Sequence, residues 1–457
     1  MIFVHILLLS LFTACIPPSF WVGAMETPTH RTLRELNREQ SMPQWHVKFN
    51  PSNITAHMKT VVNIAVEIRD IEVTDLKDIS FQFFADNERL AVVKKEISGS
   101  EIDVNSRSWS GYITVDLKLL GFTKIYVKML NHKRNTAELS NESLPLTIVR
   151  KARLIDHIFT GSVALLVSLL YINFGAAMDL KVLRKLLIKP VGPLIGFVTQ
   201  FILMPLSSYV IAVFLFPNSI EMQLGLFFTG VSPSGGASNM WTVILGGNIN
   251  LSLLMTSISN VAAFAMIPLW IFSLGRIIFS RGNMTIPYNK IATFAVALVI
   301  PLALGVAIQK YSPKWSKVLI RLLEPISKCL ILFIIIFAMV TNFYLFELFS
   351  WRIVLAGALL PWLGYCLAWY FARSLKQENA DALTIAIETG IQNTGIAIFL
   401  LRSLPQPQAD LTTVVPVSVA IMTPFPLLGL YFYRKYKGKK PIKYSTLNES
   451  DEHIRTL

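Results

Sequence analysis

Between about residues 157 and 433 the sequence consists of long apolar segments joined by short polar ones. Each segment is close to the ~20 residues that an α-helix needs to cross a bilayer. A chain that is 53% hydrophobic and only 15% charged is typical of a polytopic membrane protein and unlike a soluble one. We count nine predicted transmembrane segments: 157–177, 190–216, 223–245, 251–275, 289–309, 317–345, 351–373, 381–402 and 411–433.

The distribution of charge predicts how these segments are oriented. The net charge is +14, yet residues 25–150 are nearly neutral, so the basic excess belongs to the rest of the chain. Lys and Arg cluster in the predicted loops 178–189 and 310–316 and around the start of the tail 436–457, as expected for cytoplasmic segments. The basic loop 276–290 is an exception, because alternation of the spans places it outside. The pattern does not indicate nucleic-acid binding.

The start of the chain predicts export of the N-terminal region. Residues 1–24 contain a short apolar stretch, Pro17 and Pro18, and small residues near Ala24, which together are typical of a signal peptide. An uncleaved anchor stays open because no Lys or Arg precedes the apolar stretch. With nine spans, the N-terminal domain is extracellular or luminal and the C-terminus is cytoplasmic. The plasma membrane and a secretory-pathway membrane both stay open.

Residues 25–150 are predicted to form a β-sandwich of immunoglobulin type. From about residue 46 apolar and polar residues alternate, which places the apolar ones on one face of each strand. Several short strands with turn residues between them favour a sandwich. Asn53 and Asn141 begin Asn-X-Ser/Thr triplets and are expected to be glycosylated in this compartment. The alternating residues are Val62, Ile64, Val66 and Ile68; Ile79, Phe81 and Phe83; Ile113, Val115, Leu117 and Leu119; and Ile125 and Val127.

The predicted span 381–402 is apolar at its ends and polar at its centre. Glu388, Gln392 and Asn393 lie there, close to Gly390. A charge at membrane depth costs ~2.5–3.5 kcal/mol, so Glu388 needs a partner or a water-lined cavity. Glycines allow the helix to unwind and expose carbonyl oxygens to a cation. We therefore predict a broken helix that binds an ion; a carboxylate that only hydrogen-bonds a neighbouring helix is the alternative.

A second interrupted segment lies in the predicted span 223–245. Pro233 removes a backbone donor, and Gly235 and Gly236 allow close approach of neighbouring backbone. Ser238 and Asn239 supply side-chain oxygens. Such small polar residues often only pack helices together. Two interrupted segments in corresponding parts of a chain, however, favour a transporter binding site.

At these segments the sequence resembles the sodium/bile acid cotransporter family, solute carrier family 10. The resemblance covers about residues 157–433 and is most specific at Ser232–Asn239, Glu388–Asn393 and Gln200–Pro205. It implies a panel domain and a core domain, with two broken core helices that cross near the membrane midplane. The N-terminal β-domain resembles the extension on the less characterised branch of the family. The implied domains are 1–24, signal peptide; 25–150, β-sandwich; 151–435, membrane domain; and 436–457, cytoplasmic tail.

The resemblance also implies two sodium sites that share one acid. Asn239 and Asn393 match positions next to the substrate. Ser252 and Thr256 are four residues apart, so they share one helix face. Ser234 stands where the family usually has glycine, and we expect little effect. The first implied site is Ser238, Asn239, Ser252, Thr256 and Glu388; the second is Gln200, Glu388, Gln392 and backbone carbonyls near Thr389 and Ile391.

The expected function is sodium-coupled symport of an organic anion, resembling a bile acid or steroid conjugate, by alternating access. Sodium, this anion and the lipid bilayer are the expected partners, and a homodimer stays open. An adhesion or regulatory receptor built on a non-transporting copy of the fold is the alternative. An intramembrane enzyme is disfavoured because none of the seven histidines lies in the middle of a predicted span.

Overall fold

The computed structural model describes most of the β-rich region and the helical region. The described residues are 45–71, 78–134, 136–151, 153–177, 191–282, 284, 286, 288–319, 321, 322, 325, 332, 333 and 347–437. The predicted signal peptide, the loop 178–189, most of the span 317–345 and tail residues 438–457 lie outside them. The chain forms two compact units, one β-rich and one helical that begins at Leu154.

The described residues of the β-rich unit form ten strands. They are β1 (His46–Asn50), β2 (Ile54–His57), β3 (Thr60–Arg69), β4 (Ile79–Ala85), β5 (Ala91–Val93), β6 (Glu96–Ser98), β7 (Trp109–Leu117), β8 (Gly121–Asn131), β9 (Thr136–Leu139) and β10 (Leu144–Val149). One sheet has the order β1-β3-β7-β5, and the other has the order β2-β10-β8-β4-β6, with β9 on β8. All pairs are antiparallel except β2 with β10.

The alternation of apolar residues is confirmed as strand structure. Ile64, Val66 and Ile68 are buried along β3 while their neighbours are more exposed. Leu119 lies beyond the end of β7, because the chain turns towards Gly121 there. Buried residues of both sheets form a single hydrophobic core. The immunoglobulin assignment stays a prediction.

The helical unit follows the apolar segments of the sequence. Its helices are α1 (Leu154–Ala177), α2 (Val191–Val198), α3 (Met204–Leu215), α4 (Ile220–Val231), α5 (Ala237–Ile244), α6 (Ile249–Trp270), α7 (Arg276–Arg281), α8 (Tyr288–Tyr311), α9 (Trp351–Ser374), α10 (Asn379–Gly390), α11 (Thr394–Leu401), α12 (Gln408–Leu411), α13 (Val414–Met422) and α14 (Pro424–Tyr436). A π-helical turn at Thr199–Leu203 joins α2 to α3, and another at Ile271–Gly275 joins α6 to α7.

Within the described part of the chain, four helices are long and apolar enough to cross a membrane. They are Val191–Leu215, Ile249–Arg281, Trp351–Ser374 and Gln408–Tyr436. The predicted total of nine spans stays a prediction. The predicted loop at 276–290 was wrong in its first part, because the helix continues to Arg281. The continuation buries Ile278 and Phe279, which are 0% and 1% exposed.

Both predicted interruptions are present. The predicted span 223–245 is divided between α4 and α5, and the predicted span 381–402 is divided between α10 and α11. Short turns at Thr412–Thr413 and at Thr423 also interrupt the predicted span 411–433. The divided segments 223–245 and 381–402 bring polar residues of the helical unit together.

Candidate functional site

The two helix breaks have local causes in the sequence. α4 ends at Val231, and Ser232 turns to an extended conformation before Pro233, which has no N–H to continue the helix. α10 ends at Gly390, and Ile391 is extended. The side chain of Asn393 accepts a hydrogen bond from the backbone N–H of Ile396 at 3.2 Å and so caps α11.

The two breaks meet as a short antiparallel bridge between Ser234 and Gln392. The N–H of Gly235 donates to the carbonyl of Ile391 at 2.7 Å, and the N–H of Asn393 donates to the carbonyl of Pro233 at 2.9 Å. Backbone groups freed from the helices are thereby paired, as a membrane interior requires. The crossing of the two interrupted segments is therefore held by their main chains.

Gly235 is required for this close approach. A Cβ atom added at residue 235 would lie 2.9 Å from the carbonyl oxygen of Gln392 and 3.1 Å from a methyl group of Ile391. The first of these neighbours is backbone that itself belongs to the bridge. A side chain here would push the two breaks apart.

Glu388 lies beside this bridge and is only 1% exposed. Its carboxylate accepts hydrogen bonds from Ser234 at 2.7 Å, from Thr256 at 2.8 Å and from Ser252. Among the described residues, no Lys or Arg pairs with it. The carboxylate is thus held by hydroxyl groups from two other segments.

The acceptor oxygen atoms around Glu388 outnumber the hydroxyl protons available to bond them. The hydroxyl of Ser252 lies 2.8 Å from Asn239 Oδ1 as well as against the Glu388 carboxylate. The hydroxyl of Thr256 lies 3.2 Å from Asn239 Oδ1 and 2.9 Å from the carbonyl of Ser252, as well as 2.8 Å from Glu388. Each hydroxyl has a single proton to donate. An oxygen cluster with surplus lone pairs has the chemistry that a hard cation selects.

The structure brings together the residues expected at the first sodium site. Asn239, Ser252, Thr256 and Glu388 are linked directly. Ser238 is fully buried, and its hydroxyl lies 3.5 Å from that of Ser234. The set joins α5, α6 and α10.

The residues expected at the second sodium site form a neighbouring network. Gln200 Nε2 donates to Gln392 Oε1 at 2.9 Å and to the carbonyl of Ser232 at 2.8 Å. Gln392 Nε2 donates to the carbonyl of Thr389 at 2.6 Å, and the carbonyl of Ile391 is already an acceptor in the bridge. Gln200 lies in a π-helical turn, a feature often found at functional sites.

One acceptor in this second network is left over. Gln200 is 3% exposed, and its Oε1 has no hydrogen-bond partner among the described residues. A buried, unpaired oxygen is costly unless something binds it. A cation beside Gln200 would bind this oxygen. The oxygen atoms of the second network therefore fit the expected sodium ion.

Some residues at the site were missed or undervalued from the sequence. Ser234, expected to have little effect, donates to Glu388. Ser259 accepts a hydrogen bond from the N–H of Ser234 at 2.9 Å, and Thr242 contacts Ser252 at 3.3 Å. The spacing 252, 256 and 259 places three hydroxyls on one face of α6, which was an available signal for Ser259.

Residues 164–347 match the model of the Sodium Bile acid symporter family. The human P3 protein is 33% identical over 271 residues, which are 58% of this chain and 56% of that relative. The chain thus spans about half the length of this relative.

Two further relatives are named as transporters. The ileal sodium/bile acid cotransporter of Oryctolagus cuniculus is 29% identical over 296 residues, 63% of this chain and 83% of that protein. The human sodium-dependent organic anion transporter is 28% identical over 270 residues, 58% of this chain and 70% of that protein. These matches make part of the chain similar to the sodium/bile acid symporter family.

Proposed function

We propose that this protein is a symporter that couples the entry of sodium to the uptake of a small organic anion. The observation that carries the proposal is the buried carboxylate of Glu388, surrounded by hydroxyl and amide oxygens where two broken helices meet. The family match and the names of the relatives support sodium and an organic anion as cargo. A bile acid or a steroid conjugate is the proposed type of anion.

Two sodium ions are proposed to bind on either side of Glu388. Oxygen atoms of Ser238, Asn239, Ser252 and Thr256 would hold the first ion. Gln200, Gln392 and the carbonyls of Thr389 and Ile391 would hold the second. The surplus of lone pairs in the first cluster and the unpaired Oε1 of Gln200 support this division.

The substrate is proposed to bind next to Asn239 and Asn393. Both residues lie at the start of a half-helix, α5 or α11, immediately after a break. The N-terminal end of a helix carries partial positive charge, so it favours an anionic group. Sodium bound at Glu388 would tie the two breaks together and complete this surface before the core rocks against the panel.

The membrane potential would drive such a cycle. Two sodium ions and one monovalent anion carry one net positive charge inward. Each 100 mV of membrane potential then contributes ~2.3 kcal/mol to uptake. Transport should therefore depend on voltage as well as on the sodium gradient.

Replacing Glu388 tests the proposal. Glu388→Gln keeps the size of the side chain but removes the charge, so we expect sodium-dependent uptake of labelled organic anions to be lost. The measurement is uptake with sodium and with choline in its place, at matched surface expression. Glu378→Gln is the control, because Glu378 is exposed at the beginning of the same helix. Full sodium-dependent uptake by the Glu388 variant would disprove the mechanism.

A further inference from the structure

The hydroxyl of Ser234 lies at the centre of the site between two acceptors. Ser234 is 2% exposed. Its Oγ is 2.7 Å from Glu388 Oε2 and 2.8 Å from the backbone carbonyl oxygen of the same residue. The hydroxyl proton can serve only one of these acceptors at a time. The hydroxyl oxygen also keeps lone pairs beside a carboxylate.

The position of this hydroxyl is fixed by the main chain. The N–H of Ser234 donates to the hydroxyl of Ser259 on α6, and Ser234 is bridged to Gln392 on the other broken segment. Three segments therefore determine where its Cβ lies. A rigidly placed oxygen loses little entropy when it binds an ion.

Ser234 also faces a cavity. The cavity lies between α2, the π-helical turn after it and α6. Most of its wall is apolar, including Phe197, Phe201 and Ile258. Its few polar lining residues are Gln200, Ser234, Ser259 and Glu388. A cation that reaches Glu388 from this side has few other side-chain oxygens to bind.

We propose, resting on the proposed sodium-coupled function, that Ser234 is a further sodium ligand on the cavity side of Glu388. Before the ion binds, the hydroxyl donates to Glu388 Oε2. When the ion binds, the proton turns to the backbone carbonyl of Glu388, 2.8 Å away, and the lone pairs face the sodium ion. The carboxylate is then released to bind the same ion. Ser234 thereby sets the affinity for sodium and leaves contact with the organic anion to other residues.

The test separates sodium affinity from substrate affinity. Ser234→Ala removes the hydroxyl, so we expect the sodium concentration for half-maximal uptake to rise about tenfold, the scale seen when a group that supports a metal site is lost. The KM for the organic anion at saturating sodium should stay the same. Ser257→Ala is the matched control, because Ser257 is half-buried on α6 and its hydroxyl donates to the carbonyl of Leu253 in its own helix.

A binding measurement on purified protein distinguishes a ligand from a structural serine. For Ser234→Ala, and for Ser234→Gly if the first variant is poorly expressed, we expect a lower sodium-free unfolding temperature, because the hydroxyl donates to Glu388 before the ion binds. The rise in unfolding temperature on adding sodium should need about tenfold more sodium. An unchanged sodium requirement in both variants would overturn the role of Ser234. If Glu388→Gln abolishes uptake at the same time, the proposed symport still stands, so the two failures can be told apart.

Discussion

The carboxylate of Glu388 is held in the helical unit by hydroxyl groups of serine and threonine. Placing a charge at membrane depth costs ~2.5–3.5 kcal/mol, and each hydrogen bond to a charged group contributes ~1.5–3 kcal/mol. Three hydroxyl donors are therefore enough to offset the cost before any ion binds. The surplus oxygen atoms, including those of Asn239 and Gln200, are available to the proposed sodium ions.

Gly235 provides a prediction at the same scale. Gly235→Ala forces a Cβ to within 2.9 Å of the carbonyl oxygen of Gln392, so the bridge between the breaks must shift. We expect ~1–3 kcal/mol of destabilisation and loss of most sodium-dependent uptake at equal surface expression. In Gly192→Ala, the control, the nearest atom is 3.4 Å away in the flexible side chain of Leu251. Uptake by Gly235→Ala that equals uptake by this control would show that the bridge is unimportant.

At the scale of elements, glycines decide how α1 and α8 pack. A Cβ at Gly175 on α1 would lie 2.2 Å from the carbonyl oxygen of Leu302, and a Cβ at Gly305 on α8 would lie 2.1 Å from that of Ile172. The two helices touch through backbone at this point. Small residues permit such contact in membranes, where close packing drives helix association. Among their described residues, α1 and α8 contribute no side chain to the oxygen cluster around Glu388.

The packing of α1 on α8 can be tested separately from ion binding. Gly305→Ala should lower the thermal unfolding midpoint in detergent, because an added methyl group in a filled contact costs ~1–3 kcal/mol. Gly161→Ala on α1 is the matched control: its Cβ would have no neighbour within 4 Å, and alanine favours a helix over glycine by ~1 kcal/mol. The control should be neutral or stabilising. Equal midpoints for the two variants would contradict the inferred contact.

At the scale of the whole molecule, the chain combines a β-rich unit with a helical unit. Every proposed sodium ligand, from Gln200 to Gln392, belongs to the helical unit. The β-rich unit has its own core, built from residues of both sheets. Asn53 and Asn141 are exposed on it, in keeping with the proposed glycosylation on the extracellular or luminal side. Sodium-dependent transport and the role of the β-rich unit can therefore be tested separately.

Deleting residues 46–150 distinguishes a transporter from a receptor. Because the proposed ligands all lie in the helical unit, we expect the shortened protein to retain sodium-dependent uptake. The measurement is uptake per molecule at the cell surface, with the same sodium titration as for the full chain. A shortened protein that reaches the surface but takes up no organic anion would favour an adhesion or regulatory role that depends on the β-rich unit.

Local sequence preferences determined the elements of this protein. Alternating apolar residues such as Ile64 and Val66 define β3, since a strand has one buried face. Apolar length defines the membrane helices. Pro233 and the polar run around Glu388 identified the two breaks, because these residues disfavour a continuous apolar helix.

Only the tertiary structure decided which oxygen atoms meet. Gln200 contacts Gln392, and Ser234 contacts Glu388, across more than 150 residues of chain. No local pattern specifies a contact at that separation, because it follows from how whole helices pack. For the same reason the contact of Ser234 was not predicted from the sequence. The extension of the helix beyond residue 275 was missed too, because burial of Ile278 and Phe279 stabilises it only once the neighbouring helices are in place.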